Sequence, residues 1–327
     1  MNPHISVCIP VYNVENYIDA CLNSVLNQSF QNFEIIIVND ASPDKAIDRV
    51  KIYANNDSRI HIYENPKNMG LMWTRKEGYI RAKGDYVVFL DSDDTLPLDA
   101  LENLYAAIHD TEYDIVCGQI SYITSQGTSI DKYPNKLDYG TDAESAIRST
   151  LRWEITHNLC GKIYKRQILQ SFNYDTYVDV VNAEDAILFY QILSNVDKIT
   201  TIHKCVYNYY LYDSSSTNVI LGEKALRGIF LWQKKRYTII YNAYPLLLQD
   251  LYISMLTYLV SLSPSLENSG LINKYLQSYD IPLRLNFFNI IKYVPNNKVL
   301  KSLVSYYFPK FVQKYRYYML QKGSVKN

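Results

Sequence analysis

The sequence predicts an α/β protein, a doubly wound, mostly parallel sheet followed by a helical C-terminal region. Three observations predict it. Residues 5–10 (ISVCIP), 33–38 (FEIIIV) and 86–90 (YVVFL) are continuously apolar, the pattern of strands buried on both faces. Stretches of helical spacing separate the strands in a β-α-β-α-β-α-β order, which builds parallel sheets with right-handed crossovers. Each of the three runs also ends in polar or acidic residues, at the edge where open α/β sheets bind ligands.

In order, the first strand stops at Pro10, which cannot donate to a ladder. Val11-Tyr12-Asn13 leads into a helix in which Tyr17, Cys21, Leu22, Val25 and Leu26 recur at helical spacing. The second strand ends at Asn39-Asp40-Ala41-Ser42. A helix over 43–54, with Pro43 in its first turn, a strand at 60–63, a turn at 65–70 and a helix to residue 82 follow. The strand at 86–90 runs straight into Asp91, Asp93 and Asp94. Beyond it the pattern gives a helix over 97–109, a strand at 114–120, a polar loop or hairpin at 124–140 and a helix at 145–151. Residues 158–165 (NLCGKIYK) lead into a short helix at 167–170, and Glu184 and Asp185 open an apolar helix within 182–193. Two strands, 198–203 and 206–210, and a polar loop, 213–217, close the α/β region. From residue 222 the texture becomes helical and tyrosine-rich, divided by Pro245, Pro264, Pro282, Pro295 and Pro309.

The chain of 327 residues, 48% hydrophobic, can bury a substantial core, and its formal net charge of zero argues against a nucleic-acid partner. Charge is unevenly distributed. From Ile281 onward there is no acid, while basic residues such as Lys310, Lys314 and Arg316 interleave with aromatics, which suits an anionic surface. That segment is expected to give peripheral membrane contact, with a solvated tail or a homo-oligomer contact as the alternatives. Five cysteines without CxxC spacing fit neither a zinc site nor a disulfide framework, so a reducing compartment is expected. No signal peptide precedes the first strand, and residues 246–262, interrupted by Gln249 and Asp250, make a poor membrane span. A cytoplasmic location, at the inner face of the plasma membrane, follows.

Three closely spaced carboxylates need a cation, and Mg²⁺ or Mn²⁺ suits oxygen ligands that also bridge to phosphates. An acidic turn capping the next helix fits the bare pattern equally well. No GxGxxG follows the first strand and no GxxxxGK[ST] occurs, so phosphates are not cradled by a Gly-rich loop and a metal must contribute more.

Taken together, ISVCIPVYNVENYIDACLNSVLNQSF, EIIIVNDASPD, NMGLMWTRKEGYIRAKGDYVVFLDSDD, NLCGKIYKRQIL, AED and YNYYLYDSSST resemble, in order, the motifs of bacterial family 2 glycosyltransferases with a GT-A fold, of the capsule, lipopolysaccharide and exopolysaccharide type. The sequence departs from the pattern at Asn39, Ala41, Trp73, Lys76 and Ala183. The resemblance implies a domain over 1–220, with a nucleotide-sugar half (1–120) and an acceptor half (121–220), followed by a helical, basic region over 221–327. It implies an inverting, metal-dependent transfer from a nucleotide diphosphate sugar, most often a UDP-sugar, to a hydroxyl of a lipid-linked glycan acceptor. Pro10, Val11, Tyr12, Asn13, Glu15, Asp40, Ser42, Asn68, Gly70, Arg75, Asp91 and Ser92 would border the donor. Asp93, with Asp91, would hold the metal, Asp185 would be the base, and Glu184 and Lys162 would meet the acceptor.

Several of these residues also fit other roles. Asp185 also fits a helix-start acid, Asp40 a turn residue, and Arg75 a partner for either a diphosphate or a surface acid. Asp94 reads as a helix-start residue. His157 reads as an ordinary polar residue, and His203 as a distant candidate for the metal. Tyr207, Tyr209, Tyr210 and Tyr212 suit sugar stacking as well as packing. Asp91-Ser92-Asp93-Asp94-Thr95 also satisfies the DxDx[TV] motif of haloacid-dehalogenase-type phosphatases, with Asp91 as nucleophile. A catalytically silent nucleotide-sugar-binding module is the remaining alternative.

Overall fold

The computed structural model describes residues 2–124, 127, 129–130, 140–171, 183–212 and 223–262. The basic segment from Ile281 and the loop at 213–217 lie outside the described residues. Two compact units divide the chain, 1–239 and 240–327.

The first unit holds a mixed eight-stranded sheet. Its strands are β1 (Ile5–Val11), β2 (Phe33–Asn39), β3 (Ile60–Glu64), β4 (Tyr86–Phe89), β5 (Ile115–Ile123), β6 (Ser129–Ile130), β7 (Lys162–Lys165) and β8 (Ile199–Tyr210), in the order β3-β2-β1-β4-β7-β5-β6, with β8 pairing β5. β3, β2, β1 and β4 are mutually parallel, and every residue of β1 and β2 is buried, as their unbroken apolar runs require. The crossover helices are α1 (Ile18–Leu26), α2 (Ala46–Asn56) and α3 (Leu71–Arg81). The chain leaves β1 toward β2 on one side and returns to β4 on the other. The crevice outside the ends of β1 and β4 is therefore a topological switch point.

β7 lies antiparallel between β4 and β5, with Val88 opposite Ile163, so its beginning, not its end, lies at that same edge. The loop before β7 is thereby brought beside the end of β4. Gly161, at φ +72°, makes the turn there and donates no Cβ to a space where one would lie 2.9 Å from Ile120 Cγ1. α4 (Ala100–Ile108) packs on β5, β7 and β8, and α5 (Ala143–Leu151) packs on α6 (Glu184–Leu193). α5 starts two residues earlier than the periodicity alone gives, because the Asp142 carboxylate caps it by accepting from Ser145 N–H at 2.8 Å.

Two further differences have physical causes. α2 starts at Ala46 rather than at Pro43, because Asp44 is used before the helix: its carboxylate accepts from Ser42 Oγ, Ala46 N–H and Glu15 N–H. The two strands expected at 198–203 and 206–210 are one strand, β8, whose register against β5 shifts between Cys117 and Ile120. The polar run His203-Lys204-Cys205 that suggested a break is exposed, and the strand continues through it. α7 (Glu223–Ala243) and α8 (Leu248–Leu262) complete the described residues, with a 3₁₀ turn at Pro245–Leu247 between them. Among the described residues no helix is long and apolar enough to cross a membrane.

Candidate active site

At the ends of β1 and β2, two loops are knitted together by their own polar groups. Asn13 N–H donates to Ser42 Oγ at 2.8 Å, Glu15 N–H to Asp44 at 2.7 Å, and Lys45 N–H to Glu15 at 3.3 Å. Asn13 and Ala41 both adopt positive φ, 56° and 54°. Asp40 N–H donates to the Val11 carbonyl, and its buried carboxylate accepts from Asn65 Nδ2, Met69 N–H and Gly70 N–H at 2.7–2.9 Å. Asp40 thus anchors the 65–70 turn at the same sheet edge. Asn68 and Tyr12 are exposed there, and Pro10 and Val11 are buried in β1 beneath them.

The end of β4 carries the carboxylates. Asp91 and Asp93 are partly exposed, and Ser92 and Asp94 are buried between them. Burial, with the neighbouring Asp91 charge, raises the Asp93 carboxyl to about 6. Asp94 is not a helix-start residue, since α4 begins at Ala100. Its carboxylate accepts from Tyr207 Oη at 2.6 Å and Tyr210 N–H at 2.9 Å, and Thr95 pairs with Asn208, so the carboxylate loop is latched to β8. Tyr207 is consequently a buried strut and Tyr209 packs on Tyr122, while Tyr210 and Tyr212 stack beside Asp93, with Tyr212 Oη donating to its carbonyl.

The candidate base arrives from a different part of the chain. α6 places Asp185 in its first turn, where its carboxylate meets Arg75 and accepts from Leu159 N–H at 3.4 Å. Arg75, from α3, is 1% exposed and also pairs with Asp91 at 2.6 Å. A single guanidinium therefore joins the carboxylate at the end of β4 to the one at the start of α6. Burial works against its charge, but Asp185 and Asp91 outweigh that, and Arg75 stays protonated. Burial raises Asp185, with Arg75 pulling it down and Asp91 pushing it up, while burial and the Asp185 charge raise Glu184 to about 7. Neither contact of Arg75 is legible locally, since its partners lie 16 and 110 residues away.

Lys162 and the two histidines take other places. Lys162 is wholly buried, its ammonium donating to Thr156 Oγ1 and the Asn158 carbonyl and lying 4.8 Å from the Phe189 ring, so it supports the loop before β7 from below. His157 is also buried, and His203 is exposed on β8. All five cysteines are free.

Among the described residues no group of three or more His, Cys, Asp or Glu side chains is arranged to hold a metal by protein ligands alone. Asp93 and Asp91 nevertheless fit a hard divalent cation that takes its remaining oxygens from phosphates and water. Two carboxylates stand together, and among the described residues Asp93 makes no salt bridge, Arg75 acting on its charge only from beyond contact distance.

The family model described as Glycosyl transferase family 2 matches residues 6–171. Glycosyltransferase GlyA of Streptococcus pneumoniae is 31% identical over 258 residues, covering 74% of this chain and 35% of GlyA. The putative teichuronic acid biosynthesis glycosyltransferase TuaG of Bacillus subtilis is 32% identical over 182 residues, 55% of this chain and 72% of TuaG. The chain spans 35% to 64% of the length of the first curated relatives it matches. The crystal structure of S. aureus TarS 1-349 superposes with a TM-score of 0.65 at 21% identity, over 89% of this chain and 81% of that one. The same TarS fragment in complex with UDP-GlcNAc superposes with a TM-score of 0.63.

Proposed function

The chain belongs to glycosyl transferase family 2, and from that premise we propose that it transfers a sugar, with inversion, from a UDP-sugar to a hydroxyl of a surface-polysaccharide acceptor that is lipid-linked. The observation that carries the reading is the Arg75 bridge, which holds a donor-side carboxylate and a candidate base in one crevice at the switch point. The UDP-GlcNAc complex of a protein with the same fold supports a UDP-sugar donor, and the teichuronic acid role named for TuaG supports a polysaccharide acceptor.

Asp185 takes the proton of the attacking acceptor hydroxyl, a contribution of about 10²–10⁴-fold for a positioned base. Glu184, its neighbour, orients the acceptor. The hydroxyl oxygen bonds to the anomeric carbon as the bond to the diphosphate oxygen breaks, so no covalent intermediate on the enzyme is needed and the anomeric centre inverts. Mn²⁺ or Mg²⁺ held by Asp93 with Asp91 would supply positive charge for the leaving diphosphate. Asp40 and Ser42, with the 65–70 turn that Asp40 anchors, border the nucleoside, with Tyr12, Asn13 and Glu15 on the facing loop. On this reading the enzyme works in the cytoplasm at the inner face of the plasma membrane, where its acceptor is anchored.

The Asp91-phosphatase reading and the silent binding module are the alternatives to exclude. A thermal-shift screen of nucleotide sugars with Mn²⁺ identifies the donor, because a ligand at about 100 times its Kd stabilises the fold by about 2.7 kcal/mol. Asp185→Asn is expected to lower transfer by at least about 10²-fold while nucleotide affinity stays within a few-fold. Wild-type turnover by Asp185→Asn refutes the base assignment, and Asp91-dependent hydrolysis of simple phosphate esters would favour the phosphatase.

A further inference from the structure

Lys162 is wholly buried at the first residue of β7, and among the described residues it makes no salt bridge. An ammonium taken out of water without a carboxylate beside it is costly, so its surroundings have to offset the loss. Three groups do so. Its Nζ donates to the Asn158 carbonyl at 2.5 Å and to Thr156 Oγ1 at 3.1 Å, and it lies 4.8 Å from the centre of the Phe189 ring. All three belong to the loop before β7 or to α6, the two segments that hold and carry Asp185.

The carbonyl of Asn158 and the N–H of Leu159 are the two ends of one peptide unit. Its oxygen accepts from the Lys162 ammonium, and its N–H donates to Asp185 Oδ2 at 3.4 Å. The unit is planar and conjugated, so an ammonium at the oxygen fixes the direction of the N–H and polarises it, and hydrogen bonds in such a chain strengthen one another. The other carboxylate oxygen, Oδ1, is taken by Arg75. Asp185 is thus held at one oxygen by a cation directly and at the other by a cation acting through a peptide. Phe189 follows Asp185 by four residues on α6, the spacing that puts two side chains on one face, so the ammonium packs on the face of the helix that bears the carboxylate.

The titratable and charged groups that face Asp185 are Arg75 from α3, Asp91 from the end of β4, Cys160 and Lys162 from the loop and strand beside it, and Glu184 on its own helix. Burial raises the Asp185 carboxyl, and Lys162 and the Leu159 N–H join Arg75 in pulling it back down. We propose that Lys162 is a positioning residue for the base: its ammonium sets the Asn158–Leu159 peptide so that the Leu159 N–H fixes Asp185 Oδ2 in the ionised form that accepts the acceptor's proton. This role takes the place of contact with the acceptor, which a wholly buried ammonium cannot make. The inference rests on the reading of Asp185 as the base and deepens it.

The test reads the Leu159 amide by NMR as the pH is varied, on the full chain labelled with ¹⁵N-leucine, the signal being assigned by its loss in Leu159→Met. In the wild type the amide shift is expected to follow the ionisation of Asp185, and Asp185→Asn should remove most of that dependence. Lys162→Met keeps the length of the side chain without its charge. It should raise the midpoint by about one pH unit, the lower end of what a nearby opposite charge does to a carboxylate, and move the amide proton upfield because the peptide is no longer polarised. Thr156→Val leaves Lys162 in place but removes one of its acceptors, and should move the midpoint the same way by less. A near-ultraviolet circular dichroism spectrum like that of the wild type reports that each variant is folded. An unmoved midpoint in Lys162→Met, or in Thr156→Val should Lys162→Met not fold, means that Lys162 only packs beneath the loop and refutes the proposal, as does a wild-type amide that ignores pH. If the midpoint moves as expected while Asp185→Asn keeps wild-type transfer, the coupling stands and it is the base assignment that fails.

Discussion

Arg75 is where the two sides of the crevice meet. Two carboxylates 94 positions apart in the chain would repel one another in a low-dielectric cleft, and the planar fork of a guanidinium can face both, whereas an ammonium is a point charge. Arg75→Lys is therefore expected to keep the protein folded but to misplace Asp185. A displacement of the order of 1 Å at a reacting group can cost about 10²-fold, so kcat for sugar transfer should fall by about 10–100-fold with the circular dichroism spectrum unchanged. Wild-type kcat in Arg75→Lys would mean that the bridge does not position the base. At this scale the sequence was informative about chemistry and silent about contacts. Asp91, Asp93 and Asp185 announce themselves by residue type at a strand end and a helix start. Lys162, which the resemblance assigns to the acceptor, is instead buried completely, because its partners Thr156 and the Asn158 carbonyl lie on the loop that folds back over it. Asp94 reads as one more acid of the cluster, and only the pairing of β8 reveals that Tyr207 and Tyr210 consume both its oxygens.

Between elements, the pairing of β5 with β8 decides how the carboxylate loop is held. The apolar runs of β1, β2 and β4 declared their strands, since a wholly buried parallel strand needs no partner pattern to be recognised. β8 was harder to read, because an exposed polar run interrupts it where the register shifts, and a register depends on the neighbour. Gly118 makes the shift possible. A Cβ there would lie 2.3 Å from Val206 Cγ2 and 2.7 Å from Val206 Cγ1, so the Val206 side chain occupies the space that a side chain at 118 would need. Gly118→Ala is expected to destabilise the protein by about 1–3 kcal/mol, the usual cost of overpacking, read as a lower urea midpoint at unchanged slope. Val206→Ala removes both nearest atoms, so the double variant should be more stable than the two single changes added together. Simple additivity would mean that the strain lies elsewhere. Because β8 carries Tyr207 and Tyr210 to Asp94, Gly118→Ala should also loosen the carboxylate loop and weaken nucleotide binding in Mn²⁺.

At the scale of the whole molecule, the cost of assembling the site is written in its carboxylates. The formal charge of the chain sums to zero, so no global field favours protonation, and local burial must account for the raised groups. Glu184, with an ordinary value of 4.5, is held at about 7, and the adjoining Asp185 is raised with it. Such a pair binds more protons folded than unfolded, so its contribution to stability is complete below pH 4.5 and is lost as the pH rises through about 7. Asp44, Asp57 and Asp142 are lowered instead, so their contribution is present above their unfolded value of 3.8 and is lost only in more acidic solution. The two effects occupy separate windows. In EDTA the urea midpoint should therefore fall between pH 5 and pH 8, and Glu184→Gln should flatten that fall, since an amide cannot titrate. A midpoint that rises over this range in the wild type, or an unaltered slope in Glu184→Gln, would place the strain of the site outside this pair.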